Sequence, residues 1–258
     1  MDLINLQSLY DSLDQLGCRY AFYFQVSGNP AHQRWNAERF HSASIIKIPI
    51  LLAWLRLEKT GAVQRDELCD LDAEPQVQGA GFSWLLHTRR LPYADVLLMM
   101  IALSDNLCTN LVIRRAGLER LNQVFREELG LTGTELQRKL MDYEARSRGL
   151  DNWISPQDCI RYFDLVEQLP PADRRFVDGL LSVNQDDFYL RREIERDTLE
   201  FCHKTGSIEG VQHDWGYTHD RRIFLLTEGV QDERAALQVF GRAGRLLITP
   251  SPTGRGLG

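Results

Sequence analysis

The chain has 258 residues, 43% of them hydrophobic, and carries 36 acidic against 30 basic side chains for a formal net charge of −6. That length buries a full core as one large domain or two intimate lobes. The acidic balance, with basic residues clustered only in pairs such as Arg89–Arg90 and Arg221–Arg222, argues against nucleic acid as a partner. No apolar run reaches the roughly 18 residues needed to span a bilayer.

From the N-terminus, an acidic amphipathic helix is expected from Asp2, its cap, to a stop at Gly17, with Leu3, Leu6, Leu13 and Leu16 as its stripe. The aromatic run "RYAFYFQV" reads as a strand, "SGNPAHQ" as a turn, and "RWNAERF" as a returning strand. Helical spacing, caps and glycine stops then dominate to about Leu181, in "IIKIPILLAWLRLEKTG", "PYADVLLMMIALSDNLCTNLVIRRAG", "LERLNQVFREELG" and "SPQDCIRYFDLVEQLP". Pro49, early in the first of these, should kink that helix or confine its first turn. Three further strands follow in "LEFCHKTGSI", "DWGYTHD" and "RRIFLLTEG", and "DERAALQVFGRAGRLLI" closes the chain as an amphipathic helix. Strands at both ends around a helical insert imply a two-lobed fold, α/β plus all-α. Its antiparallel sheet is drawn from both chain ends, and its natural cleft lies between the lobes. Residues 1–42 and 183–248 form the α/β lobe, 43–182 the helical lobe, and 249–258 a flexible tail.

The five cysteines, Cys18, Cys69, Cys108, Cys159 and Cys202, are spread out with no CxxC pattern, so they read as reduced core thiols. Neither GxGxxG nor GxxxxGK[ST] occurs, and no cofactor is implied. His203 and His213 lack metal-ligand spacing and read as core or edge histidines. Chemistry gathers instead in three polar islands. Ser44 and Lys47 stand three residues apart at the start of an apolar run, Ser104-Asp105-Asn106 interrupts another, and Lys204-Thr205-Gly206 lies in a strand. A lone Ser-x-x-Lys is expected by chance in a chain this long, whereas all three islands in this order are not.

Together the islands resemble the motif set of class A β-lactamases and penicillin-binding proteins. The likeness extends to Phe40 before the serine, "GAGFSWLL", "MIALSDNLCTNLVI", "SPQD" and "HKTGSIEGVQHDWG". It is nearest to β-lactamase-like serine hydrolases in which "RKLMDYEARSRGLDNWISPQD" stands in for the omega loop. The resemblance implies the β-lactamase/transpeptidase-like fold and places the deacylating carboxylate at Glu144. The alternative for Glu144 is a helix-surface carboxylate paired with Arg148. Asp142 is a second candidate. The family's omega-loop asparagine is absent in register, with Asn152 as a candidate replacement.

The roles follow from ordinary chemistry. Lys47, one helical turn from Ser44, puts an amine on the same face to take the hydroxyl proton, and a second ammonium at Lys204 favours its neutral form. Ser104 relays a proton to the leaving nitrogen, and Asn106 offers its amide to a substrate carbonyl. Lys204 with Thr205 makes a cationic socket for a substrate carboxylate, and the N–H groups of Ser44 and Ser207, just after Gly206, hold the oxyanion. Asp105 is expected to make local hydrogen bonds rather than do chemistry. Phe82 and Trp84 are candidates to line the cleft.

The leading expectation is hydrolysis of a β-lactam amide through acyl-Ser44. The alternatives are an esterase or peptidase acting on a non-lactam substrate, and a penicillin-binding protein that acylates without efficient deacylation. The partner is a small acyl substrate, the protein a monomer, and its place the cytoplasm as the sequence is written, or the periplasm or exterior if a leader was removed.

Overall fold

The computed structural model describes residues 6–249. The expected Asp2 cap and Leu3 lie outside the described residues, as does the expected tail beyond Thr249. The first helix, α1, spans Leu6–Gln15 and buries Leu9 and Leu13. Two strands follow, β1 (Arg19–Val26) and β2 (His32–Trp35), then a short β3 (Phe40–His41). The expected return strand at 34–40 is therefore split. Trp35 pairs with Ala21 of β1, while Phe40 pairs across the molecule with Ile154.

The helical lobe runs through α2 (Lys47–Lys59), β4 (Leu68–Asp70), β5 (Arg90–Pro92), α3 (Tyr93–Ala102), α4 (Asn106–Ala116) and α5 (Leu118–Gln123). It continues through α6 (Tyr143–Ser147), β6 (Trp153–Ile154), α7 (Pro156–Glu167) and α8 (Pro171–Ser182). A π-helical turn, Val124–Glu128, extends α5, and the β4–β5 ladder is a small feature that alternation had not signalled. Ser155 caps α7 through Asp158 N, with Pro156 in its first turn, as "SPQD" implied. Nearly every residue of α2 from Lys47 to Leu57 is buried, so α2 is the lobe's central helix rather than a surface one. Pro49 falls in its first turn, where a missing N–H costs little.

The last segment supplies β7 (Cys202–Ile208), β8 (Val211–Tyr217), β9 (Arg221–Glu228) and α9 (Glu233–Gly244). Together with β1 and β2 these strands make one antiparallel sheet in the order β2-β1-β9-β8-β7. Both faces of the sheet are buried, and the strand period of two decides which side chain goes where. Ala21, Tyr23, Trp215, Phe224 and Leu226 enter the core shared with the helical lobe. Tyr20, Phe22, Phe24, Ile223 and Leu225 pack beneath α1 and α9. The two lobes are clasped by Phe163 of α7, stacked 4.4 Å from Trp215, and by the Trp215 indole N–H bonded to Cys159 O at 2.8 Å. All five cysteines are buried and unpaired. No described helix is long and apolar enough to cross a membrane.

Candidate active site

A 3-10 turn over Ala43–Ile46 feeds directly into α2, so Ser44 sits just before the helix and Lys47 is its first residue. The Lys47 Nζ lies 2.9 Å from Ser44 Oγ, 2.9 Å from Ser104 Oγ, 2.7 Å from Ser104 O and 3.1 Å from Asn106 Oδ1. Four oxygens surround one nitrogen that is sealed from water. A neutral amine still suits this cage, because it donates two protons and accepts one from a serine hydroxyl. Burial pushes the Lys47 pKa well below the usual lysine range, the Lys204 charge adds to the fall, and Asp105 opposes it. Like-charge repulsion is thus present but second to desolvation. Lys204 is itself lowered to about 8 by burial, with Asp186 and Asp214 pulling the other way.

Ser104 comes to this cage because the sequence "IALSDNL" is not one helix. α3 ends at Ala102 and α4 begins at Asn106, and Ser104 between them adopts a left-handed φ of 55°. This corrects the expectation that the second island lies within a helical run. Asp105 caps α4 through Cys108 N at 2.9 Å and binds Ser83 N at 2.8 Å and Ser83 Oγ at 2.7 Å, which is the local bonding expected of it. A Cβ on Gly81 would fall 2.2 Å from the Asp105 carboxylate, so the loop before Ser83 can approach only as glycine. Asn106 lines the cleft, but one amide proton is bonded to Gln78 O at 3.1 Å, leaving the other for a substrate.

The facing wall is β7, an edge strand of the sheet. It runs so close to the nucleophile that a Cβ on Gly206 would lie 2.8 Å from Ser44 N. Thr205, Gly206 and Ser207 line the same cleft of about 720 Å³ as Ser44, Ser104 and Asn106. Lys204 is buried, its Nζ donating to Thr205 O at 2.8 Å. His203 is buried against Asp214 at 3.1 Å, and His213 bonds the carbonyls of Gln212 and His41. Among the described residues no group of three or more His, Cys, Asp or Glu could hold a metal ion.

Glu144 is not brought to the other site residues. It sits in the first turn of α6 with its side chain 83% exposed, ion-paired with Arg148 at 2.6 Å, and it does not line the cleft. That is the helix-surface alternative, and its physical reason is the short α6, whose opposite side buries Ala145. Asp142 is spent capping α6 through Ala145 N at 2.9 Å. Asn152 staples the loop instead of facing solvent, accepting from Gln137 N and Arg138 N and donating to Arg138 O. Asp151 accepts from Arg138 at 2.7 Å and lies 3.5 Å from both Arg146 and His41. Leu140, Met141 and Tyr143 of this wall line the cleft beside Asp151 and Asn152, with Leu140 also packed against the helical core.

Phe82 lines the cleft, whereas Trp84 packs against the helical core. Sequence reasoning missed Asp186, Arg146 and Phe188 as cleft residues. The first of two adjacent aspartates in "VNQDDF" belongs to no pattern, and only the path of the 184–188 loop beside β7 puts it there.

The family model described as "Beta-lactamase enzyme family" matches residues 6–249. The chain belongs to the β-lactamase enzyme family. Solved structures support the β-lactamase/transpeptidase-like fold. A β-lactamase from Sphaerobacter thermophilus matches at TM-score 0.82 and 24% identity, covering 95% of this chain and 96% of that one. A mutant of PBP-A, solved as its acyl-enzyme complex with penicillin-G, matches at TM-score 0.79 and 23% identity over 94% of each chain. A class A β-lactamase from Mycobacterium abscessus matches at TM-score 0.79 and 19% identity, over 94% of this chain and 97% of that. No curated protein matches the chain. As a member of the β-lactamase family, it is a β-lactamase-like serine hydrolase.

Proposed function

We propose that Ser44 of this β-lactamase-family protein opens β-lactam amides to form an acyl-Ser44 intermediate, and that release of the acyl group is the slow half of hydrolysis. The observation that carries the reading is the buried Lys47 amine, 2.9 Å from the hydroxyls of both Ser44 and Ser104. Lys47 takes the Ser44 proton as Oγ bonds to the lactam carbonyl carbon. The oxyanion is held by the N–H groups of Ser44 and Ser207. When the C–N bond breaks, the Ser104 hydroxyl gives its proton to the leaving nitrogen and is refilled from Lys47, leaving the ester on Ser44. Asn106 holds a second carbonyl of the substrate, away from the reacting one, with its remaining amide proton.

Hydrolysis of that ester requires a base for water. Glu144 is committed to Arg148, Asp142 to its helix cap and Asp151 to Arg138, which supports slow release. A PBP-A mutant was solved as its acyl-enzyme complex with penicillin-G, a precedent for the acyl-enzyme on this fold. The test is intact-mass spectrometry after mixing with penicillin-G, alongside a nitrocefin assay and the Ser44→Ala variant. The expected result is an adduct on wild type that outlasts mixing by minutes, slow nitrocefin turnover, and neither with Ser44→Ala. An adduct or turnover that survives Ser44→Ala, or the lack of both in wild type, would refute the reading.

A further inference from the structure

The place where a substrate carboxylate would dock already holds a carboxylate of the chain itself. Thr205 Oγ1 donates to Asp186 Oδ2 at 2.8 Å, and Phe188 N donates to Asp186 Oδ1 at 3.2 Å. The loop that carries Asp186 is fixed to β7. Asp186 N is bonded to Asn184 Oδ1 at 2.8 Å, and the buried Asn184 bonds His203 O at 3.1 Å. Asp186 and Thr205 line the same cleft as Ser44 and Ser104.

Asp186 is offset by the buried Lys204 behind it and not by the arginines of the cleft. Its two arginines, Arg138 and Arg146, both lie against Asp151 on the opposite wall. On the β7 side Glu209 follows Asp186, and the cation behind them is the buried Lys204, already bonded to Thr205 O. An arriving carboxylate would compete with Asp186 for the Thr205 hydroxyl and meet a like charge within a few ångströms, in a partly dry site where such repulsion is poorly screened.

Building on the acyl-Ser44 reading, we propose that Asp186 is a specificity-determining residue. It turns the Thr205 side of the cleft from an anion socket into one for an uncharged or cationic group. The preferred acyl donors are then esters and amides, strained lactams included, that carry no free carboxylate beside the scissile bond. The covalent step is unchanged: Ser44 Oγ bonds to the acyl carbon, and the leaving nitrogen or oxygen departs with the proton from Ser104.

Penicillin-G and its methyl ester differ in that charge and one methyl group, and the 2-(dimethylamino)ethyl ester reverses the charge. Second-order rates of Ser44 acylation are measured for the three compounds by intact mass, with wild type, Asp186→Asn, Asp186→Ala and the Ser44→Ala control. Wild type is expected to react faster with the methyl ester than with penicillin-G, and fastest with the cationic ester. Either Asp186 variant should move the acid-to-methyl-ester rate ratio toward the acid by about tenfold or more. Wild type that favours the free acid overturns the proposal without needing any variant, and so does a ratio that stays within about twofold in a folded variant. Those outcomes leave Ser44 adducts forming. If no compound acylates folded wild type, the acyl-Ser44 reading itself fails and takes this proposal with it.

Discussion

The two walls of the cleft are built on opposite plans. On one, Lys47, Ser104 and Asn106 aim their polar atoms at one another beside Ser44 Oγ, and Gly206 brings β7 against the nucleophile's backbone. On the other, residues 138–152 spend their polar groups internally: Arg138 on Asp151, Asn152 on backbone, Glu144 on Arg148. On the proposed reading, the first wall forms the acyl-enzyme. The second lines the cleft with Leu140 and Met141 beside an Asp151 already paired with Arg138. If the proposal holds, acylation and deacylation are separable pieces of construction, the first resting on burial of one lysine and the second on the direction of one loop.

The largest effect should come from the first wall. Lys47→Met removes the base and should slow acylation by roughly 10²- to 10⁴-fold, read as the rate of adduct formation. The pH profile carries the sign. In the proposed mechanism the reactive form of Lys47 is the neutral amine, and burial lowers its pKa, so the rate should rise with pH and level off well below the range of a free lysine. Lys204→Ala removes the repulsion that helps lower it and should move that rise to higher pH. A rise centred near 10.5 in wild type would contradict the buried cage.

A change on the second wall should give a smaller effect of opposite kind. The backbone of Leu140 is pinned through both N and O to Asn110, at 2.8 Å and 3.0 Å, so its position does not depend on its own side chain. Leu140→Glu should therefore place a carboxylate in the cleft and shorten the adduct's lifetime about tenfold or more, followed by the return to free mass. No shortening in a folded variant would show that the slow step is set elsewhere. The smallest effect is expected from Glu144→Gln, less than about twofold on the same lifetime, because its carboxylate meets only solvent and Arg148. A large lengthening there would restore Glu144 to the chemistry and erase the contrast between the walls.

What could be read in the sequence follows the same division. Lys47 at the start of a buried helix with Ser44 in the turn that feeds it, "SPQD" as a capped helix start and "KTG" on a strand are local patterns, and each lies where its pattern implies. The two-lobed arrangement followed from strands at both chain ends. The break at Ser104 was hidden because a serine at positive φ has no compositional mark, whereas a glycine would have had one. Glu144 was placed by register with a family whose loop differs here, and a register error of a residue or two in a short helix turns a side chain from cleft to solvent. Asp186 was illegible because its meaning comes from Thr205, nineteen residues away.

Among the described residues, the non-glycine positions with positive φ are Ala43 at 42°, Ser104 at 55° and Met141 at 64°, and all three line the cleft. Each such conformation costs of order 1 kcal/mol or more, and it persists only because the two lobes around it over-determine the backbone. The site therefore draws on the stability of the whole fold. Variants selected only for resistance to heat should drift toward glycine or asparagine at these positions, and at Ser104 that gain would come with loss of the proton relay. Thermal robustness and acylation rate should in this protein be opposing selections, traded at the few backbone angles where the cleft is drawn tight.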